Sequence, residues 1–188
     1  MKLVTTKYSR FCGSTSALHL GEWCLEEHPA EGDNLIFLPK RIVSVREKIQ
    51  TASECLQIAK SIFPDVVQNL NNYHGISKSH SYWKIILGLW LQNFVDVVFQ
   101  RDALIRRALS EFPIYSADGI EINHPMLVAD CTQDYLPQLV SQEWNSALFS
   151  EILNFRGVRV SSVGTPLARW KTSHRGSSKF IECSFLNK

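Results

Sequence analysis

The stretch that most limits what this chain can fold into is Tyr82–Phe99, YWKIILGLWLQNFVDVVF, its most apolar run, carrying two of the five tryptophans. Crossing a bilayer takes roughly 20 predominantly apolar residues. Here Lys84, Gln92, Asn93 and Asp96 interrupt the run and Arg101 and Asp102 close it. A carboxylate and two amides at mid-depth are costly in lipid, whereas in a globular core they can take one wet side of a helix. Trp83, Ile86, Trp90, Phe94, Val97 and Val98 recur at steps of three and four, which is helical periodicity. Ile85, Leu87, Leu89, Leu91 and Val95 widen the stripe nearly all round, so the run is predicted as a central buried helix at about 81–110. It continues through Ala103, Leu104 and Leu109 until Pro113 stops it, with Ser79 or Ser81 as its cap. Gly88 offers a point where another backbone can come close.

A length of 188 residues suits one ordinary domain. Apolar content of 45% and charge of 20% are average for a globular protein, and a net charge of +2 is too small for a nucleic-acid footprint. Arg101, Arg106 and Arg107 cluster near one helix end and read as a solvated face favoured by the helix dipole. Five cysteines at irregular spacing, with no CxxC, argue against a disulfide framework or structural zinc site and fit reduced thiols in a cytoplasm. The polar start MKLVTTKYSR lacks the apolar core of a signal peptide. No integral membrane segment and no nucleic-acid partner are expected.

Along the chain, Lys2–Thr6, Ala17–Leu20, Leu35–Leu38 and Val158–Val163 read as short strands. Glu22-Trp23-Cys24 follows a strand and Gly21, the position at which α/β domains place groups at a sheet's carboxyl edge. Trp23 is read primarily as core; Glu22 is open between a turn residue and a site residue. Ile42, Val45, Ile49, Ala52, Leu56, Ala59 and Phe63 predict an amphipathic helix. Pro64 either ends it or begins a new one, and Val66, Val67 and Leu70 continue the apolar face. Asn71–Ser81 is a polar connector carrying His74 and His80. Asp118-Gly119 reads as a turn. Asp118, Glu121 and His124 have no recognised metal spacing, so no metal is expected. Thr132 can cap a turn around Asp134–Leu139. Ser141 opens a helix with Glu143 in its first turn, a Trp144, Leu148, Ile152 and Phe155 stripe, and Gly157 as its stop. Residues 164–188 are rich in Ser, Gly, Lys and Arg and read as a poorly packed or disordered tail after a domain spanning 1–163. No repeat and none of the common nucleotide, hydrolase or zinc motifs is present.

Three segments together resemble one family: HLGEWC at His19–Cys24, YWKIILGLWL at Tyr82–Leu91 and SQEWNSALFSEILNF at Ser141–Phe155. They resemble, in the same order, a transferase family of bacterial surface-polysaccharide and O-antigen gene clusters. That family's pattern runs from paired threonines through LGEWC, Asn-x-x-His-Gly, Ser-x-x-Tyr-Trp-Arg and a Gly-Pro-Trp-Leu helix to Glu-Trp-Asn. Thr5-Thr6, Leu20–Cys24, Asn71–Gly75, Tyr82-Trp83, Gly88–Leu91 and Glu143–Asn145 match it. Lys84 and Leu89 depart from it, standing where the family has Arg and Pro, and Leu38–Ser44 replaces an aromatic and acidic stretch.

The resemblance implies an α/β fold: the helix-rich, Rossmann-like amino-terminal half of a GT-B-like glycosyltransferase. Family members are considerably longer, and their carboxyl-terminal part looks like the donor-binding half, so the chain is expected to be an amino-terminal fragment, weak or inactive alone. Glycosyl transfer needs a carboxylate or imidazole to take the acceptor proton, or a carboxylate nucleophile. Matched positions offer Glu22, His74 and Glu143 as catalytic candidates, and Trp23 and Tyr82 for sugar binding, with Asp130 near the matched region. The implied partners are a carbohydrate acceptor, a nucleotide-sugar donor and the missing carboxyl-terminal half; no other cofactor is implied. The location implied is cytoplasmic, at or near the inner face of the membrane. The alternative is a non-catalytic binding or assembly module derived from such an enzyme.

Overall fold

The computed structural model describes residues 1–26, 34–120 and 132–163. In chain order the elements are β1 (Lys2–Val4), β2 (Ala17–His19), a 3-10 turn (Glu22–Cys24), β3 (Ile36–Phe37), α1 (Val45–His74), α2 (His80–Glu111), β4 (Ser116–Gly119), α3 (Thr132–Gln138), α4 (Gln142–Phe155) and β5 (Arg159–Ser162). The five strands make one parallel sheet in the order β3-β2-β1-β4-β5. Leu3 pairs with Leu18 on one side and Ala117 on the other; Leu18 in turn pairs with Ile36, and Ala117 with Val160. Leu3, Val4, Ala17, Leu18 and Ala117 are buried, the continuous apolar composition that a parallel sheet covered on both faces requires. The chain moves outward from β1 to β3, then returns through α1 and α2 to β4 on β1's other side. That reversal is a topological switch point, with the carboxyl ends of β1 and β4 side by side. The arrangement is an α/β fold with a five-stranded parallel sheet, compatible with a Rossmann-like architecture.

Asp118-Gly119, expected as a turn, lies instead inside β4. A strand here works because Arg10 neutralises Asp118 and because Gly119 leaves room for α4: a Cβ at Gly119 would stand 2.1 Å from Ser150 Oγ and 2.9 Å from Val160 Cγ1. Small residues on both sides therefore let α4 press onto the sheet. Trp144, Ser146, Ala147, Leu148, Phe149, Ser150, Ile152 and Leu153 of α4 are all buried. Ser141 caps its start by accepting from Trp144 N at 3.0 Å. Gly157, at φ 75°, closes it while Val158 N reaches back to Leu153 O at 2.9 Å. Phe155, expected in the apolar stripe, is 83% exposed because it lies on the final turn, past the packed face.

The central-helix expectation needs correction on burial. α2 runs His80–Glu111, close to the predicted bounds, with Ser79 as its cap. From Trp90 onward it packs on the main core, where Ile105 and Ala108 are fully buried. Its first turns are covered on one side only, by α1, and Ile85 and Leu89 are 87% and 71% exposed. The reason is geometric: α1 and α2 form an antiparallel hairpin whose far end projects beyond the short sheet, held by a separate small core of Cys55, Ala59, Leu91 and Val95. Fully burying side chains of this size stabilises by about 1.5–3 kcal/mol each, so the base of α2 is anchored far better than its tip. Helix α4, not the first half of α2, is the helix buried nearly all round. Gly88 admits no second backbone; a Cβ there would meet only Lys84 Cγ at 3.4 Å.

α1 begins later and ends later than its stripe predicted. Ser44 and Glu47 form a reciprocal capping box, leaving Ile42 and Val43 outside the helix and exposed. Pro64 neither ends nor restarts it. Both Pro64 and Lys60, whose carbonyl loses its partner, face solvent, where water can satisfy the freed group. The tail at 164–188 lies outside the described residues.

Candidate functional site

The switch point gathers the first group of polar residues. β1 runs into Thr5 and Thr6, both buried, and then a loop. From that loop the Arg10 guanidinium grips Asp118 at the end of β4: Nε to Oδ2 at 3.2 Å, Nη2 to Oδ1 at 3.0 Å, with Arg10 N also donating to Oδ2 at 3.1 Å. Tyr8, two residues earlier, donates its hydroxyl to Glu143 in the first turn of α4. Burial first, and then the Glu143 carboxylate, push the Tyr8 phenol well above its ordinary range, so it stays a donor.

The HLGEWC segment leads along the same edge. His19 is fully buried; Nε2 accepts from Gly13 N at 3.2 Å and Nδ1 donates to Ile36 O at 3.2 Å. Burial lowers its pKa, so it is a neutral structural bridge between β2 and its neighbours. Trp23, read primarily as core, is 47% exposed. Its ring lies over Gly21, where a Cβ would come within 2.1 Å of the indole, so the glycine makes the ring's seat and the ring's other face stays open. Cys24 is the residue that packs inward, its thiol pushed up to about 12 by burial. Glu22 turns outward to Lys40 at 3.2 Å. Gln142 Nε2 donates to Trp23 O at 3.1 Å, tying this turn to the start of α4 beside Glu143.

Next to Glu22 and Trp23 opens a groove of about 1160 Å³, walled by the ends of β2 and β3, the first turns of α1 and the second half of α2. Leu38, Val43 and Leu104 give it apolar walls, and Asp96 and Arg101 face it from α2. Arg101 departs from the expected solvated face. It is half-buried, its guanidinium pressed below its usual range by burial, with Nε donating to Asn145 Oδ1 at 2.9 Å and the group 5.9 Å from the Phe149 ring. Arg106 pairs with Asp102, and Arg107 with Glu111 while also donating to Pro39 O. Asp96 accepts from the Cys55 thiol, which burial and then that carboxylate raise to about 11, so Cys55 is not a nucleophile at neutral pH.

Three residues were not among the sequence candidates: Asp96, Arg101 and Asn145. Asn145 was legible, since it is the third residue of the matched Glu-Trp-Asn. The residues of Glu-Trp-Asn divide the work: Glu143 takes Tyr8, Trp144 is buried, and Asn145 holds Arg101 while donating to Leu139 O and Ser141 O. The other two carried no signal beyond their charge within an apolar helix.

The remaining candidates sit elsewhere. His74 ends α1 and stacks on Trp83, with Tyr82 edge-on to the same indole and 41% exposed. Asn71 closes this tip by accepting from Trp83 Nε1 at 2.8 Å and Lys78 N at 3.0 Å, and by donating to Lys78 O at 2.9 Å. At 1.5 Å rise per residue, the 19 residues from Cys55 in the groove to His74 span about 28 Å. His74 and Tyr82 therefore cannot act on the same bond as Glu22 or Glu143, and their positions serve the helical hairpin. Asp130 lies outside the described residues, as do Glu121 and His124. Among the described residues no three or more His, Cys, Asp or Glu side chains are grouped to hold a metal, and no helix is long and apolar enough to cross a membrane. Cys12, Cys24 and Cys55 are free thiols.

No curated protein and no solved structure matches the chain. A family model described as LIC12162 family transferase matches residues 1–183. The match spans nearly the whole sequence, including the LGEWC, Tyr-Trp and Glu-Trp-Asn segments whose places in the fold have just been given. The chain belongs to the LIC12162 family of transferases.

Proposed function

We propose that this chain forms the acceptor-side lobe of a GT-B-like glycosyltransferase of surface-polysaccharide, O-antigen type, moving a sugar from a nucleotide-activated donor. The observation that carries the reading is the groove at the carboxyl edge, where the half-exposed Trp23 indole and the Glu22 carboxylate stand side by side. An indole face suits the apolar face of a sugar ring, and a neighbouring carboxylate suits its hydroxyls. In the proposed step, Glu22 takes the proton of the acceptor hydroxyl. The freed oxygen attacks the anomeric carbon, the glycosyl–phosphate bond breaks, and the nucleotide leaves with the electron pair. Asp96 is a second base within the groove, and Glu143, held by Tyr8, orients the edge from behind the Trp23 turn. The described residues hold one five-stranded sheet, which the reading takes as one lobe; it assigns donor binding to a second lobe and weak turnover to this lobe alone. Activated sugars place the reaction in the cytoplasm, at the inner face of the membrane.

The test is transfer from nucleotide-sugar pools, CMP-linked ulosonic acids included, followed by mass spectrometry, with the chain supplied together with a donor-binding lobe. Loss of a general base costs about 100-fold or more, so Glu22→Gln lowers kcat by that factor while His74→Ala changes it less than about two-fold. Full activity of Glu22→Gln, or loss of activity in His74→Ala alone, overturns the assignment. A second reading, a non-catalytic assembly module, is favoured by the uncovered Ile85 and Leu89 on α2. Absence of transfer together with stable capture of a partner lobe, abolished by Ile85→Asp, selects it.

A further inference from the structure

The groove is strongly biased in charge. Lys40, Arg41, Lys48, Arg101 and Arg107 line it against only Glu22 and Asp96. Lys40 and Arg41 sit in exposed ion pairs with Glu22 and Glu47, and Arg107 pairs with Glu111. Arg101 differs. Among the described residues it is the one arginine that is not exposed and has no carboxylate partner; Arg46 and Arg159, also without one, face solvent. Taking a cation out of water costs free energy unless an anion compensates it. Asn145 supplies a neutral acceptor to Nε alone, and the Phe149 ring covers one flank, so the fork is held in place rather than neutralised. A guanidinium fixed by one edge, with its charge uncompensated at a cavity wall, is the arrangement that takes a phosphate in bidentate fashion.

We infer that this groove binds a phosphate or diphosphate group through Arg101, with Lys48 and Lys40 on its rim, so that the acceptor in the preceding reading is a phosphorylated one. The inference rests on that reading for the word acceptor only; the anion site stands on the groove itself. Asn145 is the positioning residue: it sets the guanidinium plane without touching the ligand. Glu22 and Trp23 line the same groove from the end of β2, so a phosphate seated on Arg101 leaves the attached sugar within the space that they share. The apolar walls allow two sources for the same group, a soluble sugar phosphate or the headgroup of a lipid-linked diphosphate.

Calorimetric titration of the full chain with inorganic pyrophosphate tests it, with glucose 1-phosphate as the sugar-phosphate probe and methyl glucoside as the neutral control. Pyrophosphate and the sugar phosphate bind, the glucoside does not, and binding weakens as ionic strength rises. Arg101→Ala weakens pyrophosphate by about ten-fold or more, the scale of a lost charge-assisted pair. Arg101→Lys, keeping charge but not the fork, recovers only part of it, and Asn145→Ala weakens binding while leaving the salt dependence intact. Lys48 is exposed, so Lys48→Glu keeps the fold and still weakens binding, which guards against a misfolded Arg101→Ala. No pyrophosphate binding, or equal binding by wild type, Arg101→Ala and Lys48→Glu, overturns the proposal. Flotation with phosphatidylcholine vesicles, plain or doped with a polyisoprenyl diphosphate, assigns the source: capture by doped vesicles alone identifies a lipid-linked ligand, and no capture beside positive calorimetry identifies a soluble one. Phosphate binding without any glycosyl transfer retains this inference and removes the function proposed above; transfer that needs Glu22 but ignores Arg101 does the reverse.

Discussion

The contact between Gly119 and Ser150 decides how closely α4 lies on the sheet, and so where Glu143 and Asn145 stand. Gly119→Ala puts a methyl 2.1 Å from Ser150 Oγ, 2.9 Å from Val160 Cγ1 and 3.2 Å from Ser150 Cβ. Against the roughly 3.5 Å of a relaxed heavy-atom contact, the first overlap is about 1.4 Å. Neither neighbour is the end of a long flexible chain, so strand and helix must separate. Overpacking of this kind costs about 1–3 kcal/mol. For a domain of this size each kcal/mol lowers Tm by about 2–4 °C, giving a fall of about 2–12 °C. Ser150→Ala alone removes only a hydroxyl that donates to Ser146 O at 2.8 Å within α4, and costs about 1 kcal/mol or less. In the double variant the 2.1 Å clash is gone while the 2.9 and 3.2 Å contacts remain. The two changes should therefore couple favourably by about 1 kcal/mol or more. Urea unfolding of the four proteins, read by circular dichroism, measures this directly. A Gly119→Ala variant within about 0.5 kcal/mol of wild type, or a coupling near zero, would refute the packing argument.

Other outcomes follow from the same structure. Ser44→Ala removes the α1 cap and costs about 1 kcal/mol in urea unfolding. Because the Ser44 backbone N–H and then its hydroxyl hold the Glu47 carboxyl below its ordinary range, the part that the hydroxyl adds by donating to that carboxylate is present above the unfolded value of about 4.3 and is lost as pH falls through the lower folded value. Acid titration of wild type against Ser44→Ala should therefore show the difference shrinking only below that range. Asn71→Ala costs about 1–2 kcal/mol and speeds amide exchange at Gly75–Ser81, while pyrophosphate binding in the groove is unchanged; a binding loss would link the hairpin tip to the site. With its phenol held above the usual range, Tyr8 contributes no ionisation step near pH 10, so ultraviolet titrations of wild type and Tyr8→Phe should coincide there, and a missing step in the variant would show a free phenol.

The candidate site was legible in part. LGEWC announced a carboxyl-edge turn, and Glu-Trp-Asn announced the start of α4, because both rest on local order: a strand followed by glycine, a serine cap followed by a helical stripe. What joins them was not legible. Arg101 and Asn145 are 44 residues apart, and Gln142 and Trp23 are 119 apart. No local pattern records that a charged residue on one helix finds its only side-chain acceptor on another. His74 and Tyr82 show the converse, since a matched segment proved to be a hairpin closure about 28 Å along α1 from the groove.

By itself the sequence determined the three longest helices, and it set the bounds of two of them closely: His80–Glu111 from its periodicity and Ser79, Gln142–Phe155 from Ser141 and Gly157. These choices depend on hydrogen bonds and side chains within a turn or two of each other. Tertiary structure alone decided that α4 rather than the first half of α2 is enclosed, that α1 passes through Pro64, that Asp118-Gly119 is strand, that Trp23 stays half open and that Arg101 is left without a counter-ion. Each of these turns on what lies across the fold, and burial, charge compensation and close approach are properties of pairs distant in the chain.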